Sequence, residues 1–201
     1  RDDIELVAML KTQLEADGVT FIEGVRVTSV RQNQPRDITL ILTNGRIINA
    51  SHLLIAIGRR PFIDGLMLPA AGVTFGNKGI LTDRRLRTSN KRIYAIGDVT
   101  GRQQFTHVAS YHAAICLRNI LFKYPAKIDE TAVPWVTFSD PELAQVGLTH
   151  DAAIDRWGRD KVTVIKWDLA NNDRARIDHR TSGIVKVVIH KNGRILGASI
   201  L

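Results

Sequence analysis

Between residues 3 and 17, Ile4, Val7, Ala8, Leu10 and Leu14 recur at near-helical spacing and Gly18 follows as a stop, so the pattern predicts a helix. Beyond it the character turns to strand. Val19 to Glu23 and Val25 to Arg31 are rich in β-formers, and Asp37 to Leu42 and Arg46 to Ile48 flank Asn44-Gly45, a dipeptide that favours a tight hairpin turn. The run Leu53-Leu54-Ile55-Ala56-Ile57 is apolar without alternation, as expected of a strand covered on both faces, and it ends at Gly58. Gly58 to Asn90 mixes glycine and proline with short apolar pieces and reads as loop with brief strands.

Arg92 to Ile96 predicts a short strand running into Gly97-Asp98, and Val108, Ala109, Ala113, Ala114, Ile115, Leu117, Ile120 and Leu121 predict a helix from about Thr106 to Phe122. Cys116 lies within it and reads as a small buried hydrophobe. Composition changes near Pro125 and Lys127, which places a domain boundary near residue 126. Trp135 to Phe138, Lys161 to Trp167, Gly183 to His190 and Arg194 to Leu201 read as strands, the last two joined by a second turn signal, Asn192-Gly193. Thr149 is placed to cap a short helix, with Asp151 in its first turn.

Composition narrows the functional classes. The 201 residues are 44% hydrophobic and 24% charged, as in a soluble chain with a core. No apolar run approaches the roughly 20 residues that cross a bilayer. One cysteine excludes an intrachain disulfide and any CxxC-type metal site. The net charge of +8 is locally concentrated at Arg84, Arg85, Arg87, Lys91 and Arg92, which either touch phosphates of a dinucleotide or nucleic acid or form a solvated loop. No aromatic residues interleave with them, which disfavours nucleic acid. The chain starts at Arg1 and stops inside the apolar run Ile195 to Leu201, so a piece of a longer protein is expected.

Two ordered motifs carry chemistry: Ala56-Ile57-Gly58-Arg59-Arg60-Pro61, then Ile93-Tyr94-Ala95-Ile96-Gly97-Asp98-Val99. A strand ending in Gly-Asp sets a carboxylate at the carboxyl end of a sheet, where open α/β folds bind ligands; it can accept two hydroxyls while the glycine admits a close approach. With Trp135-Val136-Thr137-Phe138-Ser139-Asp140-Pro141-Glu142, Val146-Gly147-Leu148-Thr149, Asn172-Asp173-Arg174-Ala175 and Gly193 to Ala198, these segments resemble the FAD-dependent pyridine nucleotide-disulfide oxidoreductases, in their mercuric-reductase-like and dihydrolipoamide-dehydrogenase-like branch. The resemblance covers essentially the whole chain as a C-terminal-half fragment. It implies an α/β fold, α+β in the last third, with residues 1–57 the second half of an NAD(P)-binding domain, 58–125 a segment returning to the FAD domain, and 126–201 the start of a dimerisation domain.

The same resemblance implies a cytoplasmic homodimeric enzyme passing electrons from NAD(P)H through FAD to a disulfide, dithiol or metal ion. Asp98 would bind the ribityl hydroxyls of FAD, with Gly97 beside it. Ala109 would lie against the isoalloxazine edge, Thr106, His107 and Val108 would supply donors at a helix start, and Gly58 and Val27 would approach the nicotinamide cofactor through backbone atoms. No catalytic residue and no metal ligand is assigned. Departures are Phe62 in place of asparagine after Gly-Arg-x-Pro and His150 in place of glutamate after Leu-Thr. Neither GxGxxG loop, the CxxxxC disulfide nor the His-Pro segment that supplies the catalytic base occurs in the chain, so the fragment alone is expected to be inactive. The alternative reading is a non-catalytic dimerisation or anion-binding module.

Overall fold

A computed structural model describes residues Arg1–Leu201, which divide into two compact units: Gln13–Arg59, and Arg1–Thr12 together with Arg60–Leu201. Helix α1 (Ile4–Ala16) begins in the larger unit, where Asp3 accepts the Glu5 amide at 3.2 Å and its carbonyl takes the Val7 amide at 3.0 Å. Leu6 and Leu10, four apart on one face, are its buried residues.

In the smaller unit β1 (Val27–Gln34), β2 (Asp37–Leu42) and β3 (Ile47–Ala50) form a three-stranded antiparallel sheet. The Asn44-Gly45 turn joins β2 to β3 as expected, and β1 extends past Arg31. Two expectations fail here. Val19 to Glu23 forms no strand, and Leu53 to Ile57 forms none either: Leu54 is 88% and Ile57 95% exposed. A doubly covered strand needs pairing partners and a layer on each face, and no strand of this chain pairs with that run.

The larger unit opens with a two-stranded ribbon, β4 (Phe75–Gly76) and β5 (Gly79–Ile80), the brief strands expected in the Gly58 to Asn90 loop. Leu68, Val73, Ile80 and Ala95 form a small core, with Ile63, Ile93 and Val99 packed against it. Arg92 to Ile96 is not a regular strand, since only a single bridge, Arg87 to Tyr94, pairs it. Helix α2 (Thr106–Ile120) follows and buries Val108, His112, Ile115 and Cys116 along one stripe. Cys116 packs with Leu86, Ile115, Ala126 and Ile128, and burial pushes its thiol pKa up, so the inert packing role expected of it fits.

Residues from Trp135 onward build a five-stranded antiparallel sheet in the order β6 (Trp135–Thr137), β7 (Leu143–Gly147), β10 (Ile195–Ile200), β9 (Ile184–His190), β8 (Val162–Asp168). Helices α3 (His150–Trp157) and α4 (Asp173–Ile177) are capped by side chains, Thr149 accepting the Ala152 amide at 3.3 Å and Asn172 the Ala175 amide at 3.0 Å. The cap at Thr149 thus forms with His150 in place. Strand β7 was not expected from the hydrophobic pattern, because its five residues end on Gly147 and carry Gln145 among them.

One face of this sheet has a polar stripe within an apolar surround. Ser199 stands opposite Gln145 on one neighbour and Lys186 on the other, and its hydroxyl donates to the Gln145 side-chain oxygen. Lys186 is 4% exposed and donates to Asp3 at 2.9 Å and Glu5 at 3.0 Å at the start of α1, while Lys166 binds the second oxygen of Glu5. Burial pulls the Lys186 pKa down, but the two carboxylates outweigh it and the net shift is upward; hydrogen bonds from Lys166 and Lys186 hold that of Glu5 below its ordinary value. Gly197 completes the sheet by close approach: a Cβ there would stand 2.1 Å from the Leu148 carbonyl oxygen.

Candidate cofactor site

The Gly97-Asp98 turn and the first turn of α2 come together in the larger unit. Extended backbone at Ile96 (φ −133°, ψ 155°) enters a 3-10 turn over Gly97–Thr100, which closes on Gly101 as its amide donates to the Asp98 carbonyl at 3.0 Å. Gly97 has φ +66°, and a Cβ there would meet the Ala109 methyl at 3.0 Å. Backbone conformation and packing therefore both call for glycine. The Thr100 hydroxyl donates to the Gly97 carbonyl at 2.7 Å. Asp98 is exposed, and its carboxylate makes no hydrogen bond or ion pair within the chain. On this hydrogen-bonded turn the Asp98 carboxylate is an exposed acceptor.

Helix α2 starts at Phe105 with no side-chain cap and no acidic residue in its first turn, leaving the positive end of the helix unneutralised. Thr106 and His107 are exposed, Val108 is buried and Ala109 half-buried against Gly97. The His107 ring stacks on Phe105 at 5.2 Å, and its Nε2 lies 2.9 Å from the Pro134 carbonyl oxygen, so the imidazole is tied to the segment leading into β6. That leaves its backbone amide as the donor on offer at the helix start.

Six of the expected site residues, Gly97, Asp98, Thr106, His107, Val108 and Ala109, thus share one locality. Val27 and Gly58 lie in the Gln13–Arg59 unit. Val27 opens β1 and is 51% exposed, while Gly58 has φ +129° with no atom near its Cβ position. Phe62, at the first departure from the family pattern, is 75% exposed. Part of the basic cluster is engaged internally: Arg87 pairs with Asp83 at 2.7 Å and Arg84 donates to the Ile128 carbonyl at 3.0 Å.

Sequence reasoning passed over one residue here. His112 is fully buried, and its Nδ1 accepts the Gly97 amide at 3.1 Å. Burial lowers its pKa; nearby Glu130 acts the other way and Arg102 in the same direction as burial. The available signal was spacing, since His112 falls four residues after Val108 and three before Ile115, on the buried stripe.

Comparison with known proteins gives the site a context. The family profile described as pyridine nucleotide-disulphide oxidoreductase matches residues 2–113, and the dimerisation domain of the same family matches residues 133–201. A mercuric reductase of Staphylococcus aureus is 38% identical over 203 aligned positions, covering 99% of this chain and 37% of that protein. A dihydrolipoyl dehydrogenase of Bacillus subtilis strain 168 is 38% identical, covering 98% of this chain and 42% of its own length. Among solved structures, the HOCl-induced flavoprotein disulfide reductase RclA from Escherichia coli superposes with a TM-score of 0.91 at 30% identity, over 100% of this chain and 46% of that one. The chain spans about two fifths of the length of the curated relatives it matches. With the first profile alone covering more than half of its residues, the chain belongs to the pyridine nucleotide-disulphide oxidoreductase family.

Proposed function

We propose that this chain supplies part of the flavin site of an FAD-dependent oxidoreductase that passes electrons from NAD(P)H to a disulfide, dithiol or metal-ion substrate. The observation that carries the proposal is the unpaired Asp98 carboxylate beside Gly97, at the uncapped start of α2. The residues present fit the group: a polyhydroxyl chain needs a fixed acceptor and room for close approach, and an electron-rich ring system needs N–H donors and a positive field. Asp98 would accept ribityl hydroxyls, Gly97 would admit the chain, the amides of Thr106, His107 and Val108 would face the ring, and Ala109 would pack at its edge. The flavin itself, when bound, supplies the two-electron chemistry.

In the same reading, backbone atoms at Gly58 and Val27 approach the nicotinamide dinucleotide. Residues 1–57 form the second half of an NAD(P)-binding domain, 58–125 a return to the FAD domain, and 126–201 the start of a dimerisation domain in a homodimer. The setting proposed is the cytoplasm, where NAD(P)H is regenerated. The 201 residues by themselves are inferred to be inactive, because a single buried cysteine cannot make a redox disulfide.

Two measurements test this. In the full-length protein, Asp98→Ala is expected to raise the FAD dissociation constant by roughly tenfold or more, the scale of a lost charge-assisted hydrogen bond. Unchanged flavin affinity would overturn the assignment. The isolated chain passed through gel filtration is expected to emerge colourless, and stoichiometric yellow flavin would contradict its holding only part of the site.

A further inference from the structure

We propose that His112 is the positioning residue of the flavin-holding turn, fixing Gly97 and Asp98 from beneath through its Nδ1. The proposal rests on the flavin reading above and adds a residue which that reading does not use. Gly97 is gripped on both sides: its carbonyl accepts from the Thr100 hydroxyl at 2.7 Å, and its amide donates to His112 Nδ1 at 3.1 Å. Asp98 follows directly, so the hydrogen bond that aims the Gly97 amide also sets where the next carboxylate emerges.

The contact dictates the state of the ring. An amide can only donate, so Nδ1 must be the bare nitrogen and the proton must reside on Nε2. His112 Nε2 is buried without a partner, so the second nitrogen contributes no competing anchor. The charged groups that act on the ring are Glu130 and Arg102, themselves paired at 2.8 Å, and Tyr111 lies beside it at 6.2 Å between ring centres. Protonating Nδ1 would turn the acceptor into a donor facing a donor, and the turn would lose its support. Burial works against that protonation.

The role requires an acceptor reaching inward from α2, not a histidine as such. A glutamine carbonyl can serve; a leucine of similar volume cannot. In the full-length protein, His112→Leu is expected to raise the FAD dissociation constant about tenfold, equal to about 1.4 kcal/mol, while His112→Gln stays within about threefold of the parent. Acidification should release flavin from the parent at a higher pH than from His112→Gln, which has no proton to gain there. Nitrogen-15 spectra of the histidine-labelled protein should show Nδ1 unprotonated and Nε2 protonated. A proton on Nδ1, full affinity in His112→Leu, or a His112→Gln variant as weak as His112→Leu would each overturn the assignment. If the parent takes up no FAD, the flavin reading fails and the proposal with it, whereas a proton on Nδ1 removes the proposal alone.

Discussion

The Gln13–Arg59 unit and the sheet of β6 to β10 are both antiparallel, yet they differ in burial: the strands of the first bury only Leu42 fully, whereas the second buries residues along β7, β9 and β10. In β9 the residues alternate strictly, with Ile184, Lys186 and Val188 buried, whereas in β1 only Ser29 is so much as half-buried. Composition is part of the difference, since β1 carries two apolar residues, Val27 and Val30, and β9 carries five. The rest is whether another element of the chain lies against the apolar side. The start of α1 does so for the five-stranded sheet, where Asp3 and Glu5 reach Lys186. Nothing comparable shields Leu54 or Ile57.

The comparison can be broken most directly at the buried charge. Lys186→Met leaves Asp3, 3% exposed, without its cation, and a loss of about 3–5 kcal/mol in denaturant-determined stability is expected. An unchanged midpoint would mean that α1 does not depend on this contact. Next comes one chemical change made in both regions. Leu143→Ala, at 1% exposure, should cost about 2–5 kcal/mol, and Leu54→Ala, at 88%, no more than about 0.5 kcal/mol. Equal costs by urea titration would erase the distinction drawn here.

The smaller effect is pH dependence. Glu5 has a lowered folded pKa, so its contribution is present above its ordinary value of 4.5 and is lost as pH falls below that value toward the folded one. Lys186, with a raised pKa, contributes fully below 10.5 and loses its share only as pH rises through its folded value. Stability measured from pH 6 downward should therefore decline more steeply in the parent than in Glu5→Gln. Parallel curves would show that Glu5 does not titrate with folding.

The same contrast explains what the sequence made legible. Helices α1 and α2 and strands β2, β9 and β10 follow from periodicity and turn residues because each one's pattern records a neighbour that this chain contains. Leu53 to Ile57 misled because an apolar run reports the neighbours it is suited to, not those present. Arg92 to Ile96 has strand-like residues but a single bridge, Arg87 to Tyr94, flanked by the Thr88 amide donating to the Ile93 carbonyl and the Ala95 amide to the Leu86 carbonyl. At the site, Gly97-Asp98 stood out as a motif, whereas His112 did not: a polar residue on a buried stripe has no local signature, and its partner lies 15 residues away.

The uncovered run has a consequence for the chain as it is made. Leu53 to Ile57 is a five-residue window with no charge and no proline, the kind of segment that stacks with copies of itself when left unpaired. Immediately after it stand Gly58 and then Arg59 and Arg60, two like charges that would be brought together repeatedly in any such stack. Stacked copies of the run would set arginine against arginine, and that like-charge repulsion opposes its self-association.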